Sequence, residues 1–384
     1  MKILHLCLGN FYIDNYAYQE NMLTKYHKKD GNDVCIVASL FTFDENGKTA
    51  HLPKATTYKN EHGIEVSRLA YKHNNKITRK LRYYKGTYRA IEKFSPDIIF
   101  IHGIQFMDIK QVIKYLKKHP NVKVYADNHS DFINSASNWL SKNILHKIIW
   151  KHCAKKIEPY VTKFYGVLPA RVDFLKNVYG LPQEKVELLV MGADDEKVYE
   201  AKNGDFRKSI REKYGIDDDD FLLITGGKID HNKPETLNLM KTVSSLDKKV
   251  KLLVFGSVVP SLKQEFDELL ENDNIIYIGW INASDVYKYF AISDLGVFPG
   301  KHSVIWEQAV GMGLPCIFRR FDGFSHVNID GNCVFIDDAK SETLKKVIQC
   351  IYSDDALYRK MLRISQEKGM INFSYENIAK RSIK

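Results

Sequence analysis

Short runs of apolar, β-branched residues alternate along this chain with longer segments in which apolar positions recur every three or four residues. A run of four to eight such residues bounded by Gly, Asn or Asp reads as a strand, and the longer periodic segments read as helices. Strands are predicted at 2–8, 34–39, 64–69, 97–103, 122–129, 164–168 and 186–192, and again at 221–226, 251–256, 275–279, 295–299, 315–319 and 333–337. Strands that alternate with helices in this way form parallel sheets with helices on their faces, so the expected class is α/β. The alternation pauses after Met191, where a strand ends in a polar, glycine-containing stretch, so two doubly wound units are expected. A chain of 384 residues with 44% apolar and 12% aromatic residues has material for two cores, and disordered, collagenous and disulfide-scaffold classes are excluded.

Two predicted helices of the first half carry unusual charge. Over 76–94 the apolar positions Ile77, Leu81, Tyr84, Tyr88, Ile91 and Phe94 are interleaved with Lys76, Arg79, Lys80, Arg82, Lys85, Arg89 and Lys93. Over 139–156, Leu140, Ile144, Leu145, Ile148, Ile149 and Trp150 are interleaved with five lysines. Core-facing helices with solvated lysine faces would show this pattern, and so would an interfacial surface that meets anionic lipid. The charge is uneven on the larger scale too. Of the formal +10, the residues up to Val190 supply 30 basic against 17 acidic groups, and those beyond supply 27 against 30. No nucleic-acid motif accompanies the basic half, so nucleic acid is not expected as a partner.

The six cysteines stand singly, several in apolar runs, as reduced core residues do. The apolar run at the N-terminus is too short for a signal-peptide core, and no stretch approaches the ~20 apolar residues of a spanning helix. A cytoplasmic protein, soluble or peripheral on the inner membrane leaflet, is the expectation. Phosphate-binding P-loop, dinucleotide-fingerprint, zinc-spacing and hydrolase-elbow motifs are all missing.

The richest segment is 295–317: a strand, a turn at Pro299-Gly300, a helix bearing Glu307, Gly311 and Gly313, and a strand from Pro315. At the carboxyl end of a parallel strand such a turn points a helix N-terminus at a ligand, so amides after Ser303 are placed for a phosphate and Glu307 for two sugar hydroxyls. After strand 221–226 come Gly227, Lys228 and, five residues on, Lys233, two cations able to neutralise a diphosphate. In the first half His129 closes strand 122–129, with His102 at the end of the preceding strand as the lesser candidate.

These residues resemble family 4 retaining glycosyltransferases of the polysaccharide-biosynthesis (capsule or O-antigen) type. Pro299, Glu307-Gln308-Ala309 and Gly313-Leu314-Pro315 match the C-terminal signature of that family, and Gly227-Lys228 with Lys233 matches its Gly-Arg and Lys. Gly9-Asn10, Gly256-Ser257, Gly279-Trp280 and Asn372-Phe373-Ser374-Tyr375 are weaker matches. Two departures stand out: Pro299 lies eight residues before Glu307 and no acid holds the family's first position, and Lys228 stands where Arg is usual. Lys301, His302 and Ser303 fill the shortened loop.

The resemblance implies a GT-B fold of two facing Rossmann-like domains. Residues 1–191 would bind the acceptor, 192–370 the nucleotide sugar, and 371–384 would form a terminal helix crossing back to the first domain. It implies Glu307 on the ribose, Lys228 and Lys233 on the diphosphate, and His129 by the donor sugar, as the catalytic set. Gly9, Asn10, Gly227, Gly256, Trp280, His302 and Ser303 would line the donor site. No metal and no cofactor beyond the nucleotide-diphosphate sugar are expected. The expected activity is hexosyl transfer with retention to a lipid-linked saccharide at an anionic membrane surface. The alternatives are a sugar-nucleotide epimerase of the same fold, and a non-catalytic partner subunit motivated by the missing first acid.

Overall fold

The computed structural model describes residues 1–44, 48–73, 75–231 and 234–384. The chain divides into two compact units, one of Met1–Val190 with Ile378–Lys384 and one of Met191–Asn377.

In the first unit the strands are β1 (Lys2–Cys7), β2 (Asp33–Ser39), β3 (Phe41–Phe43), β4 (Thr49–His51), β5 (Thr56–Lys59), β6 (Glu65–Leu69), β7 (Ile98–His102), β8 (Lys123–Asn128), β9 (Lys163–Gly166) and β10 (Val186–Leu188). Eight of them form one sheet in the order β10-β9-β8-β7-β1-β2-β6-β5, parallel except for β5, while β3 and β4 make a separate hairpin. Each of the seven predicted strands is present. The three that were not predicted are short and half exposed, and so lack the apolar run that marks a buried strand.

Alternation along the central strands divides the side chains between two faces. Leu4, Leu6, Ile99, Ile101, Val124 and Ala126 enter the main core. His5, His102 and Asp127 point to the other face and are fully buried there, beneath the helix Gln19–Lys29 and the terminal helix Tyr375–Ser382.

The second unit contains β11 (Phe221–Gly226), β12 (Val250–Phe255), β13 (Ile275–Tyr277), β14 (Leu295–Phe298), β15 (Cys316–Arg319) and β16 (Cys333–Ile336). They form an all-parallel sheet in the order β13-β12-β11-β14-β15-β16, the doubly wound arrangement whose strand order reverses between β11 and β14. Ligand sites in such sheets lie outside the carboxyl ends of the strands at that reversal. The loops there are Gly227-Lys228 and Pro299 to Ser303.

The two basic helices differ from expectation. Segment 76–94 is broken into Lys76–Leu81 and Thr87–Phe94, with Arg82 in the left-handed region at φ 57°. Tyr84, within the break, is buried, and its hydroxyl donates to the Leu8 carbonyl at 2.8 Å. Arg82 turns inward: its Nη1 donates to the carbonyls of Gly9 and Gln105, the latter at 2.8 Å. It is therefore a structural residue of the first unit and not part of a solvated basic face. Segment 139–156 becomes a π-helical stretch, Ser141–Trp150, running into the α-helix Lys151–Ile157. Five cysteines are buried, Cys350 is exposed, and all six are unpaired. Among the described residues no helix is long and apolar enough to cross a membrane.

Candidate functional site

The strand-end turns of the second unit are laced together by backbone. The Gly227 N–H donates to the Phe255 carbonyl at 3.1 Å and the Gly256 N–H to the Gly279 carbonyl at 2.8 Å. Gly256 has φ 121°, and a Cβ there would lie 1.9 Å from the Gly227 oxygen. Gly256 is thus required by the packing of the turns themselves, and Gly227 by its φ of 123°. Lys228 projects from this platform, mostly exposed, with Asp230 at 3.4 Å. Lys233 lies outside the described residues. Trp280, after Gly279, is 69% exposed.

Glu307 sits in the helix Ile305–Gly311 and is fully buried. Its Oε1 accepts from His302 Nε2 and from His326 Nε2, each at 2.8 Å, while its Oε2 and His326 Nδ1 have no partner among the described residues. Burial by itself would raise the Glu307 pKa, yet His302 and His326 outweigh it and hold the carboxyl well below its ordinary range. The group is therefore an ionised carboxylate with one oxygen unspent, and an unsatisfied buried carboxylate oxygen is costly unless a donor arrives. The N-cap of this helix is Val304, and the Ser303 carbonyl accepts from the Trp306 N–H at 3.0 Å.

His302, which the sequence placed at the site, thus joins Glu307 directly. His326 was missed: it lies 19 residues downstream in a short turn after β15, and nothing in local pattern marks it. Together His302, Glu307 and His326 bring three ligand atoms within 4.8 Å of one another, a donor set suited to zinc. The 2.8 Å spacings are those of N–H to carboxylate bonds, which satisfy Oε1 as the site stands. At the other cluster of acids, Asp217, Asp219 and Asp220, Lys249 Nζ occupies the cation position, 2.8 Å from Asp219.

In the first unit, the sheet order reverses between β1 and β7. Gly9 follows β1, and a Cβ on it would lie 1.8 Å from the Gly103 carbonyl oxygen, so its bareness serves the fold. Asn10 Nδ2 donates to Glu20 Oε1. His129 Nε2 lies 3.6 Å from Asp127 Oδ2 and 3.9 Å from Glu20 Oε1. Burial pulls its pKa down, but Asp127 and then Glu20 outweigh that, so it is raised overall. Burial likewise pushes Glu20 up, with His129 and His102 opposing. The structure thus gathers His129 and Asn10 about a buried acid that the sequence pattern did not reveal.

Residues 206–368 match the family model described as glycosyl transferases group 1, a span lying wholly within the second unit. No curated protein matches the chain. Among solved structures, a glycosyltransferase from Rickettsia africae is similar with TM-score 0.67 and 14% identity, covering 99% of this chain and 96% of that one. HepE from Anabaena, in complex with UDP, has TM-score 0.67 and 13% identity over 99% and 98%. Sucrose-phosphate synthase from Thermosynechococcus elongatus has TM-score 0.65 and 16% identity over 99% and 96%. The fold is that of the GT-B glycosyltransferases, two Rossmann-like α/β units with parallel sheets. The family match on the second unit supports a glycosyltransferase.

Proposed function

We propose that this chain transfers a hexosyl group from a nucleoside-diphosphate sugar to a lipid-linked saccharide, with retention of anomeric configuration, in surface polysaccharide assembly. The observation that carries the donor half is Glu307, a buried ionised carboxylate beside the β11/β14 reversal with Oε2 unspent. Two adjacent ribose hydroxyls supply the donors that such an oxygen lacks. Lys228 and Lys233 take the diphosphate, Gly227 and Gly256 hold the platform, and Trp280, His302 and Ser303 complete the donor side. As the glycosidic C–O bond breaks, negative charge grows on the leaving phosphate, and the lysines stabilise it. The leaving phosphate then takes the acceptor hydroxyl's proton, so neither a protein nucleophile nor a metal is used. His129 orients the transferred sugar, with Gly9 and Asn10 shaping its surroundings.

The acceptor half is supported by the segment 132–156. Phe132, Ile133, Trp139, Leu140 and Ile148 are exposed, Ile133 and Trp139 by 70% each. Lys142, Lys147, Lys155 and Lys156 are exposed among them, and no Asp or Glu occurs between Asp131 and Glu158. Apolar tips with basic neighbours and no acid complement an anionic lipid surface at the inner leaflet.

Calorimetry with a panel of nucleoside diphosphates tests the donor half. One of them is expected to bind, and Glu307→Ala to weaken it about 100-fold, as loss of charged hydrogen bonds implies. No binding of any nucleotide, or wild-type binding by the variant, would refute this reading. Mass spectrometry of products from pooled nucleotide sugars and a lipid-linked acceptor extract then identifies the transferred group.

A further inference from the structure

Three buried histidines of the first unit form an unbroken chain that ends beside His129. Asp127 Oδ2 meets His102 Nδ1 at 2.7 Å, and His102 Nε2 meets His5 Nδ1 at 2.8 Å. His5 Nε2 meets His27 Nδ1 at 3.0 Å, and His27 Nε2 meets the Ala379 carbonyl at 3.0 Å. Both ends of this chain are acceptors. Each of its four contacts needs one proton, and three neutral imidazoles bring only three N–H groups. The chain closes fully only when it holds a fourth proton.

The hydroxyl of Ser382 resolves the alternative state. Its oxygen lies 2.8 Å from the Ala379 carbonyl and 3.1 Å from His27 Nε2. With the fourth proton present, His27 Nε2–H donates to Ala379 and the serine does too. With it absent, the ionised Asp127 still accepts from His102 Nδ1–H, each ring donates to the next, and His27 Nε2 is left as an acceptor. The serine O–H then turns from Ala379 to His27. One proton passes to solvent, one hydroxyl rotates, and no buried ring nitrogen loses its partner.

We propose that His5, His27 and His102 are positioning residues forming a proton-storing relay, gated by Ser382 of the terminal helix, that sets the charge Asp127 presents to His129. With the relay loaded, a cation beside Asp127 compensates its carboxylate, and His129 is less readily protonated. With the relay empty, Asp127 is uncompensated and favours the charged form of His129. Around Asp127 and His129 stand Cys7 on β1, Glu20 on the helix Gln19–Lys29 and Arg171 on the helix Pro169–Asn177. Of these, Glu20 supports the charge on His129 and Arg171 opposes it.

The use of this charge in sugar transfer rests on the transferase reading, but its detection does not. Nitrogen-15 NMR of the full chain labelled at histidine, from pH 3.5 to 8, reports tautomer and proton count at each ring. The expected result is a net change of one proton over His5, His27 and His102, with a second inflection of His129 at the same pH. Ser382→Ala removes the donor needed only by the empty state, so the release midpoint is expected to rise by about one pH unit, and Ser382→Thr to restore it. A single inflection of His129 in the wild type, a fixed proton count in the three rings, or a downward shift in Ser382→Ala overturns the relay. A two-step titration in a chain that binds no nucleotide would instead sink the transferase reading and leave the relay standing.

Discussion

A methyl group added at Gly9 would stand 1.8 Å from the Gly103 carbonyl oxygen, and neither backbone segment has room to retreat because both close central strands of one sheet. Gly9→Ala is therefore expected to destabilise the first unit by about 3 kcal/mol, the upper range for overpacking in a rigid core. A denaturant titration measures this, and a midpoint equal to wild type would show that the turn can open. The sequence offers Gly9 as a donor-site glycine, and the structure adds a packing cause, contact with the protein's own backbone. Glu307 and His302 were legible because they fall in one short motif. His326, His5, His27 and Glu20 were not, since what joins them to the site residues is the stacking of distant strands and helices. A faint signal existed for the histidines: His5 and His102 each interrupt an apolar strand, and His102 with Asp127 occupies paired positions on neighbouring strands. A polar group on a buried strand needs a polar partner, so two such interruptions on adjacent strands point to each other.

Elements separate a basic segment whose apolar residues are mostly buried from one whose apolar residues are mostly exposed. The two basic segments look alike in sequence, yet only one exposes its apolar residues. In 76–94, Tyr84 and Ile91 are buried and Arg82 is turned inward, with Ile77 the one large apolar side chain exposed among the described residues of that segment. Through 132–148, six large apolar side chains are exposed among lysines, and Lys142 Nζ lies 5.0 Å from the Phe132 ring. Period alone could not separate these cases, because a break at a left-handed Arg82 and a π-helical winding both shift which positions face inward. Flotation with vesicles containing anionic lipid is expected to retain the wild type at physiological salt, each lysine near the surface contributing roughly 1 kcal/mol. Trp139→Ser with Ile148→Ser is expected to reduce retention at least tenfold, while Lys76→Ser with Lys80→Ser leaves it unchanged. The reverse ranking would assign the membrane contact to 76–94.

Over the whole molecule, the excess positive charge resides in the first unit's sequence, and so does the burden of buried neutral histidine. Burial lowers His27 and His146 to about 4 in the folded chain and pushes His5 the same way. An unfolded histidine titrates near 6.5. Between those values the unfolded chain binds more protons than the folded one, so stability falls as pH drops from about 6.5 toward about 4. Above that window both states are neutral and the groups contribute nothing. Each group costs up to about 1.4 kcal/mol per pH unit within it. Glu307 in the second unit behaves oppositely: its depressed carboxyl keeps its contribution until the pH falls below the ordinary carboxylate range, near 4.3. Hydrogen exchange read by peptide is the suitable measurement, because it resolves the two units without requiring separate melting transitions. On acidification from pH 6.5 to 5, protection in β1, β7 and β8 is expected to fall while that in β11 and β14 holds, after correction for the intrinsic exchange rate. Equal losses in both units, or earlier loss in the second, would mean that the buried histidines of the first are already charged when folded.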